Sequence, residues 1–314
     1  RDMKGRGKDP KFPHPNPRRM SDARGRPNPA DFMIVVFVPV VWGLNFIIIK
    51  DALPSFASPL VFNAIRWGLA SAVLLVLVAV RRDSLRVAPQ DWPRLLLVAV
   101  VGNVLQQVTF INGIRLTTAG HAALIMGLSP VIVALGGGVL GLERVTRQTW
   151  AGIVLSVVGL ALLVRPSGGG TAPQAFAGDL LTLASAACWA VYTLASRPLA
   201  LRYPAASATA LTVGLATIVL VLVALPGLRA EAWPAVPWRA WGDLIYSGGL
   251  VIAFGYVIWS MAIRRIGPAR TAVLANLNPV VAVVGAWLLL GERLAPGQVL
   301  GAALVIAGIS LTRR

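Results

Sequence analysis

The 314 residues carry 29 Lys and Arg against 12 Asp and Glu, a formal charge of +17, yet only 13% are charged and 56% are hydrophobic, with a mean hydropathy of +0.73. A soluble domain holds about 25% charged residues, so water is not the main solvent of this fold. Nucleic-acid binding is excluded as the reason for the charge: nine basic residues precede Ala30, and the rest stand singly or in pairs at the ends of apolar runs, where they orient helices in a bilayer.

Residues 1–30 are rich in Pro, Lys, Arg and Asp and have no apolar core. This composition predicts a disordered basic tail rather than a signal peptide. With Arg1 in first place, Met20 and Met33 stand as candidate starts of the natural chain. From Met33 onward, apolar stretches able to cross a hydrocarbon core of about 30 Å centre on Trp42, Leu69, Val104, Ile132, Val157, Ala187, Ile218, Ala253, Val283 and Ile306. The expected fold is therefore an all-α membrane protein of ten transmembrane helices. Cys188 lies inside an apolar run, and as the single cysteine it forms neither an internal disulfide nor a multi-cysteine metal site. With both termini cytoplasmic, thirteen basic residues of the loops and span ends face the cytoplasm against six on the other side, in accord with the positive-inside rule.

The chain is internally duplicated. At an offset of 149 residues Ser129-Pro130 falls on Asn278-Pro279, Glu143-Arg144 on Glu292-Arg293, Gly152 on Gly301, Gly159 on Gly308 and Ile114-Arg115 on Ile263-Arg264. At an offset of 147, Trp42 falls on Trp189 and Lys50 on Arg197. The expected units are residues 31–165 and 178–314, joined by a linker over 166–177 that holds Gly168-Gly169-Gly170. Five spans per unit is an odd number, so the second unit enters the membrane in the opposite sense. Two inverted five-helix repeats are a transporter architecture, because the two can exchange inward-closed and outward-closed forms. Duplication is also a simple route to a large helical bundle.

In its Trp42 to Phe46 start, the single Arg66 in the second span, and the twice-used Pro followed by Gly-x-Glu or Gly-Glu after Pro130 and Pro279, the chain from Met33 onward resembles the drug/metabolite transporter superfamily, in its EamA-type branch. The resemblance implies ten helices and a central cavity lined by the first four helices of each repeat. It also implies export of small metabolites, frequently amino acids, across the inner membrane by alternating access. Other members export drugs, nucleotide sugars or purines. The chain departs from symmetry at Arg66, which has no basic counterpart near Leu211.

An ionisable group at mid-membrane costs about 3 kcal/mol, so it is expected to face the bundle interior. Arg66 is the leading candidate for a carboxylate contact; capping backbone carbonyls or reaching toward headgroups is the alternative. Trp42, Asn45, Tyr192 and Asn276 are further substrate candidates, with helix packing as the competing role. Gln106 and Gln107 point about 100° apart on a helix, so at most one is expected to face the cavity centre. Tyr256 and Trp259 share a helix face and offer an apolar or cation–π surface. Pro130 and Pro279 are expected as paired hinges or cavity-lining bends, with Ser129, Asn276 and Asn278 satisfying the backbone groups they expose and a static kink as the alternative. Glu143 and Glu292 are gating or helix-end candidates. His121 is a candidate for proton coupling, although no Asp or Glu lies at mid-span and exchange or facilitated diffusion has equal standing.

No cofactor or metal is expected. The chain lacks His-Glu-x-x-His, Gly-x-Ser-x-Gly and phosphate-cradling motifs, which argues against an enzyme. A channel normally forms its pore on an oligomeric axis, whereas here the symmetry lies inside one chain, so a monomer is expected to suffice. The expected partners are a small metabolite, such as an amino acid, and the lipid bilayer.

Overall fold

The computed structural model of the chain describes residues 37–117, 122, 125–142, 145–163, 173–281 and 296–312. The basic tail, His121, the Glu143-Arg144 and Glu292-Arg293 pairs, the glycine run and the expected span centre Val283 lie outside these residues. Among the described residues there is no strand. The helices are α1 (Val38–Ala52), α2 (Pro59–Arg81), α3 (Pro89–Leu116), α4 (Ser129–Val139), α5 (Arg147–Leu163), α6 (Pro173–Arg202), α7 (Ala205–Ala230), α8 (Trp238–Ile266), α9 (Pro268–Leu274) and α10 (Pro296–Thr312). Helices α2, α3, α6, α7 and α8 are long and apolar enough to cross a membrane, while α1, α4, α5 and α10 are shorter apolar helices. The expected centres other than Val283 all fall within helices.

Local chemistry sets the ends. Pro59 opens α2 where its missing N–H costs nothing, and the Ser58 hydroxyl accepts from the Val61 N–H at 3.3 Å. The helix closes on Arg82 in the left-handed conformation, φ 55°. Gly267, at φ 83°, separates α8 from α9, and Pro268 restarts the chain as a helix.

Two helices are not α-helical throughout. Val98–Leu105 of α3 and Tyr246–Phe254 of α8 are π-helical, and the two stretches lie one repeat offset apart. A π stretch widens the helix and interrupts the regular i−4 pairing, a distortion frequent at functional sites.

The packing runs in antiparallel pairs. Gly227, Thr217 and Gly214 of α7 meet Val61, Trp67 and Ser71 of α2 in that order, so one helix ascends as the other descends. In the same way Gly113 of α3 lies against Thr182 of α6, and Gly102 against Tyr192. This pair is tied at both ends. At one end the Thr117 hydroxyl bonds the Asp179 carboxylate. At the other, buried Asp91 accepts from Arg202 at 2.7 and 2.8 Å and from the Tyr203 hydroxyl at 2.6 Å, while that hydroxyl accepts from the Ala88 N–H. Burial and the Asp91 hydrogen bond hold the Tyr203 phenol above its ordinary range, so it stays a donor at physiological pH. A second ion pair, Arg239–Asp51 at 2.9 Å, joins α8 to α1 and is exposed.

Helices α5 and α10 approach closely, because side chains are missing where they cross. A β-carbon on Gly159 would stand 2.7 Å from the Gly301 carbonyl oxygen, and one on Gly308 would stand 2.6 Å from the Gly152 carbonyl oxygen. Such contacts give a membrane helix pair its dispersion energy. Gly159→Ala is accordingly expected to destabilise the protein by roughly 1–3 kcal/mol, read as a lower thermal midpoint in detergent. Gly138→Ala, where the added carbon meets nothing within 4 Å, should leave the midpoint unchanged. Arg202→Ala, which strips a buried carboxylate of its cation, should lower the same midpoint more than Arg239→Ala, whose pair is already in solvent.

Candidate functional site

A cavity of about 90 Å³ sits where α1, α2, α3, α6 and α8 converge with the segments around Met126–Ser129 and Ala275–Pro279. Its wall includes the expected residues Trp42, Asn45, Arg66, Gln106, Gln107, Tyr256 and Pro279. It also includes Phe46, Phe110 and Trp189, which were not anticipated as lining residues, and Ser129 and Asn278 beside the two prolines. Trp189 is the repeat mate of Trp42, and that duplication was the signal for it.

Arg66 is the charged member of this wall and is only 2% exposed. It neither reaches toward headgroups nor caps backbone carbonyls. Its Nε donates to Asn63 Oδ1 at 2.8 Å, one helical turn back on the same face of α2. Nη1 donates to the Ser247 hydroxyl at 3.0 Å, in the π stretch of α8, and Nη2 donates to Gln107 Oε1 of α3. The Phe62 ring centroid lies 5.5 Å from the guanidinium carbon. Among the described residues no carboxylate lies within ion-pair distance of Arg66. Every acceptor holding the guanidinium is neutral.

The acceptors continue as a chain. Gln107 Nε2 donates to Gln106 Oε1 at 2.6 Å and, more distantly, to the Tyr256 hydroxyl at 3.5 Å. Gln106 Nε2 donates to the Ser185 hydroxyl of α6 at 3.0 Å, which donates to the Gln106 backbone carbonyl at 3.1 Å. Both glutamines line the cavity. The two side chains leave α3 in different directions, one toward α2 and one toward α6, and their amide ends meet on the cavity wall between those helices.

The aromatic part of the wall adjoins this chain at Tyr256. Trp42 packs against Trp189 at 5.2 Å, Trp259 at 5.0 Å and Tyr256 at 5.9 Å, and Trp189 stacks on Tyr192 at 4.9 Å and 16°. Each such pair is worth about 0.5–1.5 kcal/mol beyond its burial. Tyr192 and Trp259 are buried behind the cavity wall rather than in it. The absence of a side chain at Gly255 makes room for this ring set, since a β-carbon there would stand 2.5 Å from the Trp42 indole nitrogen. That nitrogen donates to the Val251 carbonyl, in the π stretch of α8, at 3.1 Å.

Pro130 is buried at the start of α4, where the Ser129 hydroxyl donates to the Met126 carbonyl at 2.7 Å. That part of the proline expectation fits, but Asn276 does not satisfy a broken backbone. Its side chain is fully buried and makes no hydrogen bond, and Asn278 Oδ1 is also unpaired. Neither Pro130 nor Asn276 lines the cavity.

The chain matches the EamA-like transporter family twice, over residues 30–165 and 176–314. It is 29% identical to a Salmonella typhimurium protein named "Probable amino-acid metabolite efflux pump", covering 89% of this chain and 93% of that one. It is 30% identical to a "Probable terminal-alkyne amino-acid exporter" of Streptantibioticus cattleyicolor, covering 89% and 92%, and 26% identical to an uncharacterised transporter of Bacillus subtilis, covering 88% and 92%. A solved crystal structure superposes with a TM-score of 0.74 at 21% identity, covering 89% of this chain and 94% of that one, which shows the same fold. Within the site, Trp42→Phe removes the donor to the Val251 carbonyl and is expected to lower stability by about 1–3 kcal/mol, measured as the shift in thermal midpoint.

Proposed function

Because this chain belongs to the EamA-like transporter family, we propose that it exports small metabolites, amino acids first among them, by alternating access between two inverted five-helix repeats. The protein is a multi-pass membrane transporter rather than an enzyme. The observation that carries the substrate reading is the buried guanidinium of Arg66, on the cavity wall and held only by neutral groups. A buried charge calls for an opposite charge, and a substrate carboxylate supplies it. The aromatic wall of Trp42, Trp189 and Tyr256 suits an ammonium or an apolar side chain. Two relatives carry names that refer to amino-acid export.

The inverted arrangement is supported by the pairing of sequence-equivalent helices. Helices α2 and α7, and likewise α5 and α10, correspond in the duplication and run antiparallel to each other. In this reading the repeats are residues 31–165 and 178–314, both termini lie in the cytoplasm, the protein resides in the inner membrane, and one chain suffices for transport. Asn45, Gln106 and Gln107 take the polar end of the substrate, Tyr192 and Trp259 back the aromatic wall, and Asn276 belongs to the moving segment. Pro130 and Pro279 act as hinges, with Glu143 and Glu292 at the gates and His121 the coupling candidate.

The test is counterflow in proteoliposomes with a panel of radiolabelled amino acids. Saturable, trans-stimulated flux is expected, and Arg66→Ala should weaken it by about tenfold to a hundredfold, the worth of a hydrogen bond to a charged group. No flux of any amino acid by intact reconstituted protein would overturn the substrate assignment in favour of purines, sugars or drugs. Flux unchanged by Arg66→Ala would remove Arg66 from the site.

A further inference from the structure

The guanidinium of Arg66 has five N–H donors in a fixed fork. Three are taken, by Asn63, Ser247 and Gln107, and two remain, one on each Nη. The three acceptors differ in how readily they can yield. Asn63 is a turn away on the same helix and fully buried, and Ser247 is fully buried in α8. Gln107 lines the cavity on a side chain with three rotatable bonds, and it offers only a neutral amide oxygen. A carboxylate is a stronger acceptor for a guanidinium than an amide, because the bond is charge-assisted at both ends.

We propose that Gln107 is the specificity-determining residue of the site: its amide oxygen, which holds Arg66, yields that place to the substrate carboxylate and then accepts from the substrate's ammonium. The inference rests on Arg66 being the carboxylate contact. Its geometric basis is the polarity of the chain running from Arg66 through Gln107 and Gln106 to Ser185. In that chain Gln107 Nε2 donates to Gln106 Oε1 at 2.6 Å and stands 3.5 Å from the Tyr256 hydroxyl, so turning the amide nitrogen to the carboxylate gives up the Gln106 bond. The oxygen is the one atom free to change partners. Released from Arg66, it stands beside the carboxylate as an unpaired acceptor, where an α-ammonium lies two bonds from the carboxylate carbon. Among the described residues no carboxylate lines the cavity to perform this task. The cavity thus selects α-amino carboxylates over carboxylates that lack the amine, and it does so with a neutral acceptor exposed only on binding.

The experiment measures binding of L-valine and of 3-methylbutanoate, the same skeleton without the amine, to the full chain in detergent, with the thermal midpoint as a check of folding. Wild type should prefer valine by about tenfold or more, the difference made by one hydrogen bond to a charged donor. Gln107→Met should bind both ligands with nearly equal affinity while keeping 3-methylbutanoate, because Arg66 remains free for the carboxylate. Gln107→Glu should fold and bind neither, its own carboxylate occupying Arg66; this variant decides the matter if Gln107→Met fails to fold. An unchanged valine preference in Gln107→Met, or valine binding retained in Gln107→Glu, would overturn the proposal while leaving the Arg66 reading intact. Wild-type protein that binds neither ligand would overturn both.

Discussion

The constraint on which the site depends is a guanidinium buried among neutral groups. Arg66 cannot be deprotonated at any physiological pH, and a buried cation with no anion is costly. The chain responds by spending its polar residues around that one group: Asn63 on the same helix, Gln107 on α3 and Ser247 on α8 each turn an oxygen toward it. Those acceptors reduce the cost without cancelling the charge. What remains is an attraction for anions in a cavity whose wall is otherwise aromatic, apolar and neutral polar, which joins stability to recognition through the same side chain.

That arrangement needs a scaffold in which helices distant in sequence approach closely and stay in register. Small residues provide the approach: Gly102 and Gly113 bring α3 against α6, while Gly159 and Gly308 bring α5 against α10. The α3–α6 pair is locked at its ends by polar ties, Thr117 to Asp179 and Asp91 to Arg202 and Tyr203. Between these ties the π stretches of α3 and α8 break regular helix geometry next to the cavity, and one of the carbonyls there accepts from Trp42 across 209 residues of sequence. Close-packed helix pairs together with irregular backbone beside the cavity are what a helical membrane protein requires if its middle is to hold a polar solute.

Two fully buried asparagines leave both amide atoms unpaired where the helices depart from regularity. Asn103 lies in the π stretch of α3 and Asn276 in the turn that interrupts the chain before Pro279; each is fully buried with both amide atoms unpaired. Proline placement in the sequence pointed to the second of these regions but assigned its asparagine the wrong task, because a residue's nearness to a break does not say which way its side chain turns.

By itself the sequence determined the solvent of the fold, the positions of most helices and the duplication, since these depend on the length and periodicity of apolar runs and on self-similarity, all local or linear properties. It also singled out Arg66, because a charge inside an apolar run is conspicuous without any knowledge of its neighbours. Only the tertiary structure decided what surrounds that charge. Ser247 lies 181 residues from Arg66 and Gln107 lies 41 away, Trp189 joins the cavity beside its own repeat mate, and both glutamines reach the same wall. Those relations follow from which helices pack together and at what rotation, and packing is set by the summed fit of many side chains across the bundle, which no single stretch of sequence contains.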